Sequence, residues 1–241
     1  MADILMLVVG VIIGLVPPII LYKWVLKKGK DGEVKEIYKK AFKYGIIVAL
    51  PITLASGALS IIGNLTGLKE ANPLLYQFYY TVIVLAFAEE LLKFLVFKRV
   101  LKKNDYPYSW YDLTILMMLV GLGFQCIETA TYAFDSGIMQ MVLRGVSLGH
   151  AGYGIIMGWF YGKMQKTGKK IYGVLSLLIP LILHGLYDFG LSEELIKVND
   201  NWKFLSLVLE AVCIVFVVLI IRFVRKRSES EVYTEPLKKH E

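Results

Sequence analysis

The chain has 241 residues, of which 56% are hydrophobic and 20% charged, with a formal net charge of +7 and a mean hydropathy of +0.59. A soluble domain is typically about 45–50% apolar, and here the excess is gathered into long runs, which excludes an ordinary soluble domain. The basic residues cluster at the ends of those runs with no nucleic-acid module around them, so they read as a topology and lipid-contact signal, and no nucleic-acid partner is expected.

In chain order the runs cover residues 4–24, 44–62, 76–97, 113–134, 138–161, 171–189 and 204–224. Each is close to the ~20 residues that cross a ~30 Å hydrocarbon core as a helix, where no water exists to satisfy an irregular backbone. The expected fold is therefore all-α: a polytopic membrane bundle of seven transmembrane helices. The first run has no basic residue before it and is followed by Lys23, Lys27 and Lys28, so it reads as a retained helix and not a signal peptide. Lysine and arginine are retained on the cytoplasmic side. The loop after the first run holds seven lysines from Lys27 to Lys43, the next only Lys69, the third Lys98, Arg99, Lys102 and Lys103, and the fourth none. The same alternation continues to Arg222, Arg225, Lys226 and Arg227. It places the N-terminus outside and the C-terminus in the cytoplasm of a multi-pass plasma-membrane protein. Residues 1–227 form one transmembrane helical domain on this reading, and 228–241 a polar cytoplasmic tail expected to be disordered. Cys126 and Cys213 both lie within runs, so no disulfide framework is expected. Gly154 and Gly158, four residues apart, suit close helix packing.

Ionisable side chains at membrane depth cost at least ~2.5–3.5 kcal/mol each for Asp, Lys and Arg at a helix centre, so they need partners and usually a purpose. The third run holds Glu89, Glu90 and Lys93, the fourth Glu128, the fifth Arg144 and His150, and the sixth His184 and Asp188. Lys93 follows Glu89 by four residues and Glu90 by three, so it can pair with either on one helix face. Asp188 follows His184 by four and can fix the tautomer of its ring. Glu89 and Glu90 point about 100° apart around a helix, so one is expected to do chemistry while the other braces its neighbours. At ~1.5 Å per residue, Glu89, Glu90 and His150 fall near mid-bilayer, and Glu128, Arg144, His184 and Asp188 in its outer half. Singly, each group has a bland reading: a structural ion pair for Lys93, a satisfied core histidine for His184, a snorkelling side chain for Arg144. As a set drawn from adjacent helices they point to a site.

These residues resemble the PrsW-type intramembrane proteases, relatives of the CAAX prenyl protease and bacteriocin-immunity membrane proteins. The resemblance rests on Glu89-Glu90 with Lys93, Gly123-Phe124 with Glu128, Arg144 with Gly149-His150, and His184 with Asp188-Phe189. One position departs: Thr129 stands where the family pattern has Asn. The resemblance implies a membrane-embedded endopeptidase acting on a single-pass membrane protein near its extracytoplasmic side, the family's best-known substrate being an anti-sigma factor.

Amide hydrolysis needs an activated water, a stabilised oxyanion and a proton for the leaving nitrogen. Glu89 or Glu90 is the expected general base, balanced by Lys93, with Arg144 and Asp188 completing the catalytic group. Glu128, His150 and His184 offer a His₂Glu set for one zinc ion; without metal, the histidines would donate to the oxyanion. Two competing readings are a proton- or ion-coupled transporter, against which stand the short chain and the lack of repeats, and a non-catalytic membrane scaffold.

Overall fold

A backbone in hydrocarbon satisfies its own hydrogen bonds only as a helix or a closed barrel. The computed structural model describes residues 2–28, 32–135, 148–225 and 237, and among them no strand occurs. Three stretches are long and apolar enough to cross a membrane: Glu33–Leu65, Trp110–Thr131 and Ile171–Gly190. The other expected runs fall on α1 (Ala2–Lys28), on the segment leading into α6 (Ala88–Lys103), on α8 (Gly149–Thr167) and on α11 (Lys203–Arg225).

The first of the three stretches is two helices end to end, α2 (Glu33–Ile47) and α3 (Ala49–Leu65). Pro51 cannot donate to the carbonyl four residues back, that of Ile47, and α2 stops there. A single turn, α4 (Leu68–Ala71), leads to α5 (Pro73–Tyr79). Asn72 caps α5, its Oδ1 accepting from the Leu75 N–H at 3.0 Å, with Pro73 at the first helical position where no N–H is needed. The chain then runs through a π-helical segment, Tyr80–Phe87, directly into α6. α7 (Trp110–Asp135), α9 (Ile171–Gly190) and the short α10 (Glu193–Val198) complete the order.

α7 is the centre of the molecule. Every residue from 109 to 126 is buried, and the helix packs on α1, α2 and α8. Its start is a reciprocal cap: the Ser109 N–H donates to Asp112 Oδ2 at 2.9 Å, and the Asp112 N–H donates to Ser109 Oγ at 3.1 Å, satisfying two orphan donors. The Tyr38 hydroxyl donates to Asp112 Oδ1 at 2.8 Å and ties α2 to the same point. Gly154 and Gly158 bring α8 against α7 so closely that an added Cβ at either would stand 2.6 Å from a carbonyl oxygen, of Met117 and Leu113 respectively.

The fifth run departs from expectation. The sequence predicts one helix over 138–161, but α8 begins only at Gly149, because Leu148 has a φ of 55° and leaves the right-handed helix. Ser147 and Gly149 on either side are weak helix formers, and a left-handed non-glycine residue persists where its surroundings hold it. Residues 136–147, with Arg144 among them, lie outside the described residues. So does most of the tail, although the Leu237 N–H donates to the Tyr108 carbonyl at 2.9 Å. Cys126 and Cys213 are both buried and free.

Candidate active site

The π-helical segment ends at Phe87, two residues before Glu89; such segments are rare and recur at functional sites. Glu89 and Glu90 were expected to diverge, but their long side chains close the gap between the two faces. Lys93, one turn further on, sits between them, with Nζ 2.7 Å from Glu90 Oε1 and 3.5 Å from Glu89 Oε2. Lys93 is fully buried and Glu90 is 1% exposed, so each charge depends on the other for compensation.

His150 lies in the first turn of α8. It is set there by Gly121 of α7, whose bare Cα rests against the His150 carbonyl at a distance no Cβ could share. His150 Nδ1 is 3.0 Å from Lys93 Nζ, and its Nε2 is 2.6 Å from Glu128 Oε2. An ammonium only donates, so Nδ1 accepts and the Nε2–H donates to Glu128. The phenyl ring of Phe124 meets the His150 ring edge-on at 4.9 Å and lies 4.5 Å from Lys93 Nζ, adding a cation–π contact to the lysine.

His184 comes from α9. Its Nδ1 is 2.9 Å from Glu90 Oε1, and its Nε2 is 3.3 Å from Asp188 Oδ2 and 4.0 Å from Glu89 Oε2. Both ring nitrogens thus face carboxylates. Tyr153 stacks on the ring at 5.0 Å between centroids and 19° between planes, and His150 stands edge-on to it at 5.1 Å.

Four of these residues form a ligand set. Glu89, Glu90, His150 and His184, all buried, each offer one atom, and those atoms lie within 4.8 Å of one another. Two imidazoles and two carboxylates are a donor set that suits zinc. Charge agrees: among the described residues Glu89, Glu90, Glu128 and Asp188 face one ammonium, and an added divalent cation or bound protons would offset the excess. Glu128, named with the two histidines as a ligand from sequence, stands at the far nitrogen of His150 and outside this quartet.

Some of the site was not anticipated. Gln125, Tyr153, Tyr187 and Glu210 join Glu128, His150, His184 and Asp188 around a cavity of about 20 Å³. Glu210 is an ionisable residue inside the last apolar run, so the criterion that marked the others marks it too. Tyr153 and Tyr187 carry no such signal, since tyrosine is ordinary in a membrane helix.

A buried Glu–His–Lys cluster within a helical membrane bundle, with a donor set able to hold a metal, is the apparatus of an intramembrane hydrolase. A family model described as "PrsW family intramembrane metalloprotease" matches residues 33–222. Relatives named "Protease PrsW" include that of Oceanobacillus iheyensis, 30% identical over 183 residues, covering 74% of this chain and 81% of the relative. That of Bacillus subtilis is 28% identical over 205 residues, covering 80% and 85%. No solved structure matches the chain. The chain belongs to the PrsW family of intramembrane proteases.

Proposed function

We propose that this protein is a seven-span plasma-membrane endopeptidase that cuts a single-pass membrane protein near the extracytoplasmic side, an anti-sigma factor being the substrate the family resemblance suggests. The observation that carries the reading is the convergence of Glu89, Glu90, His150 and His184 to within 4.8 Å in a buried, lysine-balanced pocket. Lysine alternation supports the orientation, with the N-terminus outside.

The two neighbouring glutamates differ in how firmly they are held. Glu90 Oε1 accepts from Lys93 at 2.7 Å and faces His184 Nδ1 at 2.9 Å. Glu89 is held loosely, at 3.5 Å from Lys93 and 4.0 Å from His184, and it lines a cavity of about 300 Å³. Glu89 is therefore the general base, taking the proton of the attacking water and delivering it to the leaving nitrogen. Glu90 positions Lys93 and His184. Asp188 orients His184 through Nε2, and Glu128 holds His150 in its Nε2–H tautomer. Zinc would be held by His150 and His184 with Glu90, or with Glu128 if that side chain turns, leaving Glu89 free as the base. Bound there, it would acidify water and polarise the scissile carbonyl.

The test is cleavage of a single-pass substrate in liposomes by the purified protein and by a Glu89→Gln, Glu90→Gln double variant. Loss of cleavage in the double variant is expected. Undiminished cleavage by it overturns the assignment of the site.

A further inference from the structure

α3 carries two kinds of surface. Leu50, Leu54, Ile61, Ile62 and Leu65 are exposed, as lipid-facing residues should be. Thr53, Ser56, Ser60 and Asn64 recur at three- and four-residue spacing and so share one side of the helix. That side borders two cavities. One, of about 300 Å³, has Thr53 and Ser56 in one wall and Leu85, Glu89, Ile127 and Glu128 in the others. The second, of about 590 Å³, is lined by Ser60 and Asn64 of the same stripe together with Tyr76, Gln77 and Tyr80. The stripe thus borders one cavity near its Leu65 end and another that reaches two carboxylates of the site.

Ser56 gives this stripe a specific feature. Its Oγ is shielded from solvent and has no hydrogen-bond partner among the described residues, whereas Thr53 bonds back to the Ala49 carbonyl at 3.0 Å. A hydroxyl kept without a partner costs about 1–3 kcal/mol, and an acceptor entering the cavity would relieve that cost. On the opposite flank, the cavity by His184 and Asp188 is about 20 Å³, room for about one water molecule. Of these three cavities, the two along α3 have room for a peptide segment.

We propose that the polar face of α3 is the track on which the substrate's scissile segment lies in extended form, with the Ser56 hydroxyl donating to a substrate peptide carbonyl, while water reaches the site from the opposite flank. This rests on the protease reading above. A substrate helix is about 10–12 Å across, and each of its carbonyls already carries one bond. An extended strand exposes a carbonyl at every residue. The stripe from Thr53 to Asn64 rises about 16 Å, the length of about five extended residues.

Two measurements on the full-length protein in liposomes test it. A photo-crosslinking benzoylphenylalanine is placed at Thr53 or Ser60, and for comparison at Leu178 of α9 or Val215 of α11, in the slow Glu89→Gln background. Adducts with a single-pass substrate are expected from the two α3 positions and absent from the other two. Adducts only from Leu178 or Val215, or only with lipid, overturn the track. In a chain with Glu89 intact, Ser56→Ala should raise KM about threefold to tenfold with kcat little changed, and Ser56→Thr should restore it. An unchanged KM, or a fall in kcat alone, removes Ser56 from substrate binding. Cleavage by the unmodified protein is followed in the same vesicles. If it cuts substrate while α3 gives no adducts, the track fails and the protease assignment stands; if it cuts nothing, both fall.

Discussion

A carboxylate that takes a proton from water needs a lone pair that no fixed donor occupies. Glu90 Oε1 lies within 2.9 Å of both the Lys93 ammonium and a His184 nitrogen, while among the described residues the nearest ionic partner of Glu89 is Lys93 at 3.5 Å. Glu89→Gln should therefore lower kcat by about 10²–10⁴-fold with little change in thermal stability. Glu90→Gln removes the charge that compensates buried Lys93 and should cost about 3–5 kcal/mol of stability as well. Thermal unfolding in detergent beside a cleavage assay separates the two roles, and equal destabilisation by both variants would refute the division. The same residues bear on metal. Purified protein should carry about one equivalent of zinc, lose activity in a strong chelator and regain it with added zinc. His150→Ala and His184→Ala should each reduce the bound zinc measured by elemental analysis. Fully active, metal-free enzyme would leave the histidines as oxyanion donors.

At the scale of elements, the site is held by close helix contacts more than by its own hydrogen bonds. α8 meets α7 through Gly154 and Gly158, and a Cβ at either would stand 2.6 Å from backbone oxygen. Gly154→Ala should force the helices apart, at about 1–3 kcal/mol for overpacking, and move His150 away from Glu128. A melting temperature equal to the unmodified protein's would show that α7 and α8 are not packed this way. The Gly154, Gly158 spacing was legible as a contact motif, as were the charged residues, because a charge in an apolar run stands out against its background. What stayed hidden depends on the fold of the backbone. The π-helical turn before Glu89 is ordinary apolar sequence, Tyr80 to Phe87, with no marker residue. The left-handed Leu148 that starts α8 likewise has no glycine or asparagine to announce it. The convergence of Glu89 and Glu90 was misread because Cβ directions 100° apart do not bound where two long side chains end.

At the scale of the whole molecule, function depends on which membrane face the site approaches. Charge provides the guide in the sequence: Lys27 and Lys28 end α1, Lys35, Lys39, Lys40 and Lys43 lie on α2, and Arg222 and Arg225 end α11, while residues 136–148 between α7 and α8 hold Arg144 as their one basic residue. Lysine- and arginine-rich loops stay in the cytoplasm. On that rule the Leu65 end of α3 and the Asp135 end of α7 face outward, and the α3 stripe from Asn64 down to Thr53 descends from the outer surface towards Glu89. A substrate entering from outside would then reach the carboxylates before crossing half the bilayer, which fits cleavage on the extracytoplasmic side. In a background with Cys126 and Cys213 replaced, single cysteines at Ala2 or Asp135 should react with a membrane-impermeant thiol reagent in intact cells. Cysteines at Gly32 or Gly168 should react only after the membrane is opened. Both glycines have positive φ, 80° and 71°, so Lys35 and Lys166 serve as unstrained alternatives on the same side. Labelling in the reverse pattern would invert the topology, put the α3 track on the cytoplasmic side, and remove the physical basis for an outward-facing cut.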